Sequence, residues 1–590
     1  MPRTNEERQK ANLIATVVRK ARRRFKGNRR AAADRFLSQY YRHVPPHDLL
    51  EQSPDSLFGA ALAHWNFGTT RAPGKAAVRV YNPSVKKHGW RSEHTVVEIV
   101  TDDMPFLVDS VTAELNRQGL IVHLIIHPIL KVRRDKSGRL RELVETDESG
   151  TGVAAESFMH FEVTGQSGER LAGIAASMEA VINDVRAAVE DWRPIRNTMA
   201  AIIEELESPP ANVPAEDAAE VRDFLRWIHD DHFTFLGFRE YLIKGDGERA
   251  TVSANRKAGL GILRDPEFQV FRELHNLASM PPDMRAFVSR PELLMVTKTN
   301  RKSTVHRPVH MDFIGIKRLN AQGKVVSQRM FVGLFTSTAY NWSARDIPLL
   351  RRKLQKTCAR AGFEPASHDG KALLNILETF PRDELFQISE DQLFRTALGI
   401  LHLQDRQRVA LFLRRDDFER FISCLVYVPR ERYTTALRER AQKILEDAFA
   451  GEIAAFTTLL GDAPLARVHM IIRTTAGRIP DYDAAKIEAE LIEAARSWTD
   501  HLSNALIAAC GEEKGLTLYR RYEDAFPAGY RDEFDATEAV ADIAVIEETL
   551  DSGELGMNLY RPPGTADNQL RFKVYHPHQA IPLSHILPML

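Results

Sequence analysis

The chain has 590 residues, more than one hydrophobic core can organise, and its length predicts roughly three to five domains. Its 80 lysine and arginine residues equal its 80 aspartate and glutamate residues, a balance that argues against a dedicated nucleic-acid-binding protein. The three cysteines are far apart, and the apolar runs are shorter than a membrane span. We therefore expect a cytoplasmic protein that binds neither nucleic acid nor a membrane.

The stretch 94–130 changes its hydrophobic period twice, which predicts a strand, a helix and a second strand. The apolar run 96–100 is rich in β-branched residues and is followed by Asp102 and Asp103, which are typical of a turn. The helix is predicted by apolar residues at four-residue spacing, namely Leu107, Val111 and Leu115. The almost continuously apolar run 120–130 predicts the second strand, so the stretch forms a β-α-β unit.

The first turn of this helix carries a recognisable pattern. The sequence Asp-Met-Pro-Phe-Leu-Val at 103–108 resembles the Asp-x-Pro-Gly-Leu-Leu start of ACT domains, small βαββαβ modules that sense amino acids and other metabolites. Pro105 suits a first helical turn, where its missing N–H group loses no hydrogen bond. Family members that bind amino acids usually have glycine where this chain has Phe106, and we expect Phe106 to block the approach of a ligand to the backbone.

The order β-β-α-β-β-α recurs near residue 405, so we predict an α+β multidomain protein with repeated ACT-like, ferredoxin-like domains. An apolar helix begins at 582–590, and we expect the domain that contains it to be truncated. The predicted divisions are an N-terminal helical segment (1–75), an ACT-like domain (76–193), a linker and helix (194–231), an α+β domain (232–342), a helical connector (343–404), a second ACT-like domain (405–512), a helical linker (513–567) and the start of a third ACT-like domain (568–590).

A polar cluster at 298–307 lies between apolar strands and contains Lys298, Arg301, His306 and Arg307. Its cations suit an anion or a nucleotide phosphate, since arginine and lysine match phosphate oxygens. The alternative interpretation is a solvated strand-and-turn surface or a set of interdomain salt bridges. We treat these four residues as candidate ligand-binding residues.

Two further pairs are candidates for ligand binding. Arg430 and Arg432 precede a predicted helix, and helix N-termini bind anions readily, but interleaved acidic residues offer structural ion pairs instead. Asp102 and Asp103 form either an acid/base pair or a helix cap.

The sequence contains no pattern that assigns catalysis, a cofactor or a metal. It has no P-loop, no His-Glu-x-x-His and no Gly-x-Ser-x-Gly, and its Gly-x-Gly pairs lack the continuation of a dinucleotide-binding fingerprint. The segment His229-Asp230-Asp231-His232 contains metal-ligating residue types, but no third ligand is evident, and a turn is the simpler interpretation. We therefore predict no catalytic, cofactor-binding or metal-binding residue in this chain.

Several long segments, in the same order, resemble the N-terminal half of the large bacterial NAD-specific glutamate dehydrogenases. They are FLRWIHDDHFTFLGFREY (224–241), TKTNRKSTVHRPVHMDFIGIKR (297–318), MFVGLFTSTAYN (330–341), DDFERFISCLVYVPRERYTT (416–435) and RPPGTADNQLRFKVYHP (561–577). The resemblance implies that 232–342 is a PAS-like domain and that the catalytic domain lies C-terminal to this chain.

The same resemblance implies a function. The full-length protein would convert L-glutamate, NAD and water to 2-oxoglutarate, ammonia and NADH. This chain alone would be inactive and would bind no NAD. Its expected partners are its own C-terminal catalytic domain, other copies of itself in a homo-oligomer, and an amino-acid effector. Two alternatives are a free-standing ACT-type metabolite-sensing regulatory protein and an enzyme whose site is the cluster at 298–307.

Overall fold

Two units, Met1–Phe394 and Arg395–Leu590, make up the chain, and each has its own sheets and cores. The computed structural model describes residues 5–144, 150, 152–209, 213–244, 251–255, 259–265, 268, 292–320, 322–403, 406, 408–461, 463–475, 478–561, 570–577, 580–582 and 584. Both units combine helices with antiparallel sheets, which confirms the predicted α+β multidomain class.

The first unit begins with a layer of helices: α1 (Asn5–Arg24), α2 (Gly27–Tyr40), α3 (Pro46–Leu50) and α4 (Pro54–Gly68). The start of α4 is encoded locally, because the Ser53 side chain accepts a hydrogen bond from the Ser56 N–H at 3.1 Å and Pro54 occupies the first turn. The large aromatic side chains Phe36, Tyr40 and Tyr41 of this layer are fully buried.

The first sheet has the strand order β1-β2-β6-β4-β5, with β3 also paired to β6, and every pairing is antiparallel. Its strands are β1 (Ala77–Tyr81), β2 (Thr95–Asp102), β3 (Val122–Ile126), β4 (Ile129–Arg134), β5 (Leu140–Leu143) and β6 (Val153–Val163). The helices of this part are α5 (Val85–His88), α6 (Leu107–Arg117) and α7 (Gly168–Glu190). Alternate residues of β2 are buried on opposite faces: Val100 joins the core of the N-terminal helices, whereas Val97 and Ile99 belong to the other face.

The single strand predicted at 120–130 is divided in the structure. β3 pairs with residues 160–163 of β6, and β4 pairs with residues 153–157. Pro128 lies between them and has no N–H group for the ladder, although its carbonyl still accepts from the Phe158 N–H at 3.0 Å.

The segment predicted as a linker and helix (194–231) is helical over most of its described length. It contains α8 (Trp192–Glu205), which follows α7 directly, α9 (Ala215–Trp227) and a π-type turn (Ile228–His232). Pro194 lies in the first turn of α8, where it costs no hydrogen bond, so its presence does not interrupt the helix.

The second sheet has the order β10-β11-β12-β7-β8, with β9 paired to β7. Its strands are β7 (Phe233–Lys244), β8 (Thr251–Ala254), β9 (Leu260–Gly261), β10 (Leu294–Lys302), β11 (His310–Leu319) and β12 (Val325–Phe335). Helices follow at α10 (Ser337–Asn341), α11 (Leu350–Ala361), α12 (His368–Thr379), α13 (Arg382–Gln387) and α14 (Glu390–Leu401). The assignment of 232–342 as a PAS-like domain stays a prediction.

The second unit contains a sheet of order β13-β14-β16-β15, again antiparallel. Its elements are β13 (Ala410–Arg415), β14 (Phe421–Pro429), a 3-10 turn (Arg430–Arg432), α15 (Thr435–Phe449), β15 (Glu452–Leu459), β16 (Leu465–Arg473), α16 (Ala484–Ala494) and α17 (Trp498–Cys510). The hydrophobic pattern from 482 to about 510 predicts one long helix, but the structure divides this segment between α16 and α17. Ser497 and Asp500 form a capping box that starts α17 after the break.

The described C-terminal part contains α18 (Glu512–Tyr522), α19 (Ala528–Glu533), α20 (Ala536–Ser552), β17 (Gly556–Tyr560) and β18 (Arg571–Tyr575). The two strands pair antiparallel. Most of the helix predicted at 582–590 lies outside the described residues. Among the helices that are described, none has an apolar stretch long enough to cross a bilayer.

Candidate functional site

The start of α6 has an unusual backbone. Phe106 precedes the helix with φ of +72°, a left-handed conformation that glycine adopts without steric cost and other residues adopt rarely. The Ser110 N–H and hydroxyl both donate to the Phe106 carbonyl, at 3.0 and 2.6 Å. This chain thus has a phenylalanine in a backbone conformation for which glycine is best suited.

A loop of the second sheet lies against this turn. The ring centroids of Phe106 and His306 are 4.9 Å apart, with an interplanar angle of 44°. The His306 N–H donates to the Ser110 hydroxyl at 2.9 Å, and His306 Nδ1 lies 3.1 Å from an Asp109 carboxylate oxygen. His306 therefore contacts the first turn of α6, where a ligand would approach the backbone of an ACT domain.

The loop at 303–309 has a defined shape. The Ser303 N–H donates to the Val309 carbonyl at 2.8 Å, and the Ser303 hydroxyl donates to the Val305 carbonyl at 2.7 Å. Val305 is fully buried, and the Thr304 hydroxyl donates to Asp184 of α7 at 2.7 Å. The loop is thus fixed to two helices of the first sheet domain, as in the interdomain alternative for the cluster at 298–307.

Lys298, from the same predicted cluster, lies elsewhere. Its Nζ is 2.6 Å from Asp312 Oδ1, 3.1 Å from Asp383 Oδ2 and 3.4 Å from the Tyr340 hydroxyl. Burial raises the pKa of Asp312 to about 6, although Lys298 opposes that shift. Burial alone would lower the pKa of Lys298, but Asp312 and Asp383 raise it. The lysine charge is therefore directed at two carboxylates of the protein.

The structure separates the two arginines of that cluster as well. The Arg301 guanidinium lies 4.5 Å from the centroid of the Phe268 ring. Arg307 donates to the Phe335 carbonyl at 2.5 Å. These contacts do not bring Lys298, Arg301, His306 and Arg307 together at one anion site, and their role in ligand binding stays a prediction.

Asp102 and Asp103 have different partners at the end of β2. Asp102 is paired with Arg71 at 2.5 Å and Arg186 at 2.7 Å. Burial alone would raise the pKa of Asp102, but hydrogen bonds from the two guanidiniums lower it. Asp103 accepts from the Ser157 hydroxyl at 2.6 Å. The helix-cap alternative is wrong, because Phe106 is the cap residue of α6 and no side chain caps it.

In the second unit, Arg432 pairs with Asp500 at 2.9 Å. Arg430 is exposed, and its N–H donates to the Pro464 carbonyl at 2.9 Å. The nearby start of α15 is already capped, since the Thr434 hydroxyl accepts from the Leu437 N–H at 3.1 Å. Arg432 therefore forms a structural ion pair, but its partner is Asp500 of α17 and not one of the interleaved acidic residues. The N-terminus of α15 that an anion would approach already has a protein side chain as its cap.

The segment at 229–232 does not form a ligand set. Asp231 has φ of +61° and pairs with Arg196 at 2.7 Å. His232 Nδ1 lies 2.8 Å from the Trp227 carbonyl oxygen, and its ring stacks on the Trp227 ring. These residues form the predicted turn between helix and strand.

The structure brings together a group that sequence reasoning missed. Ligand atoms of His64, Glu98 and His160 lie within 4.8 Å of one another, and all three side chains are buried. The residues come from α4, β2 and β6, so no local spacing connects them. The available signal was the placement of polar residues inside apolar strands: Glu98 between Val97 and Ile99, and His160 between Met159 and Phe161.

Comparison with known proteins identifies the modules. Models of glutamate dehydrogenase domains match, in chain order, as the ACT1 domain at 36–178, helical motif 1 at 347–406, the ACT2 domain at 410–499, helical motif 2 at 505–548 and the ACT3 domain at 554–590. The matched ACT1 residues include α4, α6 and the first sheet.

Curated relatives extend the match. The chain is 39% identical over 587 residues to an NAD-specific glutamate dehydrogenase of Halomonas elongata, covering 99% of this chain and 36% of the relative. It is 36% identical to that of Pseudomonas aeruginosa, covering 94% of this chain and 34% of the relative. It is 30% identical to that of Mycobacterium tuberculosis, covering 91% of this chain and 32% of the relative. The chain thus spans about a third of the length of these relatives, and it contains regions that match the ACT and helical-motif domains of glutamate dehydrogenases.

Proposed function

We propose that this chain is the regulatory and oligomer-building region of an NAD-dependent glutamate dehydrogenase. The reaction would be the oxidation of L-glutamate with NAD and water to 2-oxoglutarate, ammonia and NADH. We assign that chemistry to a catalytic domain outside these 590 residues. The support is that the matched models are ACT and helical-motif modules and that about two thirds of each curated relative lies outside the match.

The contact of His306 with the start of α6 is the observation that carries the regulatory role. It connects the turn beside Phe106 to the second sheet through one loop. A conformational change in either domain that alters this contact also changes the free energy of the other domain. Coupling between two domains requires such a shared contact. An amino-acid effector would act by favouring one arrangement of this contact over another.

NAD belongs to the catalytic domain in this proposal, and we assign no NAD-binding residue to the present chain. Its partners would be that catalytic domain and further copies of the chain in a homo-oligomer. We assign the protein to the cytoplasm. A free-standing metabolite sensor is the competing hypothesis, and it differs in needing no catalytic partner.

The test is NADH formation from L-glutamate, followed by absorbance. The 590-residue chain is assayed alone, and the full-length Halomonas elongata relative serves as the positive control. The third sample is a chimera, the Halomonas elongata relative in which this chain replaces the matched region. We expect no NADH from the chain alone and NADH from the chimera. Glutamate-dependent NADH formation by the chain alone would contradict the proposal.

The competing hypothesis has its own measurement. Calorimetric titration of the chain with the common amino acids reports whether it binds an effector, and light scattering reports how many copies assemble. The free-standing sensor would be favoured if the chain were a monomer, bound an amino acid and gave a chimera that forms no NADH.

A further inference from the structure

We propose that His64, Glu98 and His160 form a buried binding site for a divalent transition-metal cation of the Zn²⁺ type, between the first sheet and the N-terminal helices. The site does not depend on the proposed regulatory function, because it includes neither residue of the Phe106–His306 contact.

The arrangement of the three side chains fits a small cation. Their ligand atoms lie within 4.8 Å of one another, and His160 Nδ1 lies 3.5 Å from Glu98 Oε1. With metal–ligand bonds of about 2.0–2.2 Å, the ligand atoms around a tetrahedral zinc are about 3.4 Å apart. Each of the three side chains is completely shielded from solvent.

Three of the four imidazole nitrogens of His64 and His160 lack a hydrogen-bond partner within the part of the chain that the structure describes. His64 Nε2 and both ring nitrogens of His160 are buried without a hydrogen-bond partner. The contacts of His160 with Glu98 at 3.5 Å and Glu162 at 3.6 Å are longer than ordinary N–H···O hydrogen bonds. Buried polar atoms are nearly always paired, so a group of unpaired nitrogens beside a carboxylate indicates an occupant.

The surrounding side chains would orient the ligands. The Tyr40 hydroxyl is 2.9 Å from His64 Nδ1, which leaves Nε2 of that ring for the cation. Glu162 faces His160 Nε2 and is itself fixed by the Ser92 hydroxyl at 2.8 Å. Histidine ligands of metals typically donate their second N–H to such an acceptor, which fixes the ring orientation.

Glu98 is held in the same manner. The Tyr81 hydroxyl donates to Glu98 Oε1 at 2.9 Å, and the Arg79 guanidinium pairs with Oε2. Two imidazoles and one carboxylate are the ligand types of zinc, whereas magnesium and calcium prefer oxygen ligands alone. The set therefore selects a borderline-soft cation.

A proton on His160 is the competing occupant. Burial alone would lower the pKa of His160, but Glu162 and Glu98 raise it to about 9, and burial lowers the pKa of His64 to about 4. A cation at the site would displace the His160 proton.

The experiment measures metal bound to the intact 590-residue chain. The protein is produced with added ZnCl₂, dialysed to remove loosely bound metal and analysed by plasma mass spectrometry. We expect about one zinc per chain. The variants His64→Asn and His160→Asn should lose it, and His127→Asn, which changes a half-buried histidine outside the set, should keep it.

A second readout does not depend on the variants folding. Metal-free wild-type chain is titrated with CoCl₂, and a tetrahedral site gives visible ligand-field absorption that ZnCl₂ abolishes. Wild-type chain that holds well below one zinc and gives no such absorption would overturn the proposal in favour of the proton. Zinc retained by folded His64→Asn and His160→Asn would overturn it in favour of another site.

Discussion

The ring of Phe106, held in a left-handed backbone conformation, packs against the ring of His306 from the second sheet domain at a centroid distance of 4.9 Å. Neither residue has an ordinary backbone, since His306 also has a positive φ, +68°. Two strained turns thus meet at one contact. Such conformations persist only where the surrounding structure enforces them. The unfolding free energies of variants at this contact therefore report the strain in its two turns.

The strain at Phe106 is measured by comparing two substitutions. Phe106→Ala and Phe106→Gly both remove the ring, but only glycine relaxes a backbone with φ of +72°. We expect the glycine variant to be more stable than the alanine variant by about 1 kcal/mol. Urea unfolding followed by far-UV circular dichroism measures the difference. Equal stabilities would show that the turn is not strained.

The Ser110 hydroxyl joins α6 to the loop at 303–309, since it accepts from the His306 N–H and donates to the Phe106 carbonyl. Ser110→Ala should cost about 1 kcal/mol and speed amide exchange in the loop. Hydrogen exchange read by mass spectrometry gives the local rate. Ser177→Ala is the matched control, because the Ser177 hydroxyl donates to the Gly173 carbonyl of its own helix, α7. Unchanged exchange at 303–309 in Ser110→Ala would argue against the contact.

Lys298 offers a test of buried charge. Lys298→Met leaves Asp312 and Asp383 without their shared cation, and we expect a loss of about 3–5 kcal/mol in unfolding free energy. Lys302→Met on the same strand changes an exposed lysine and should stay within about 0.5 kcal/mol of wild type. Denaturant titration of both variants is the measurement. A small effect at Lys298 would mean that the carboxylates are solvated or protonated.

Asp191 predicts a pH dependence. It accepts from Arg264 at 2.6 Å and from the Gly261 N–H at 2.6 Å. Burial alone would raise the pKa of Asp191, but these hydrogen bonds lower it. A lowered folded-state pKa gives stability that is present above the unfolded value of about 3.9 and is lost as the pH falls through the folded value.

Asp191→Asn should therefore cost about 2 kcal/mol at neutral pH, and the deficit should shrink below about pH 4. Urea titrations of wild type and variant at several pH values give the two curves. A deficit that grew on acidification would have the wrong sign for an ionised Asp191.

The sequence predicted local elements well where one period ran without interruption. The strand at Thr95–Asp102 and the helix at Leu107–Arg117 lie where the two hydrophobic periods indicated. The hydrophobic pattern does not predict the break before α17, because the helical period continues through it. The capping box of Ser497 is what starts a new helix there. Local capping chemistry can end a helix that apolar spacing would extend.

The candidate sites were less predictable, because their partners come from distant parts of the chain. His306 and Ser110 are 196 residues apart, and no local pattern connects them. The basic residues near 298–307 suggested an anion site. Their residue types alone do not show which carboxylates from other strands and helices lie beside them in the fold. Lys298 forms ion pairs with two such carboxylates, Asp312 of β11 and Asp383 of α13.

The pair Asp191–Arg264 crosses between the two sheet domains of the first unit, as do the contacts of Thr304 and His306. Residues 1–193 expressed alone would lose all three links and expose the Phe106 ring. We therefore expect these domains to melt in one cooperative calorimetric transition, and a piece cut near residue 193 to melt at a lower temperature than the intact unit. In this part of the molecule, the limits of a module in sequence are not the limits of a folding unit.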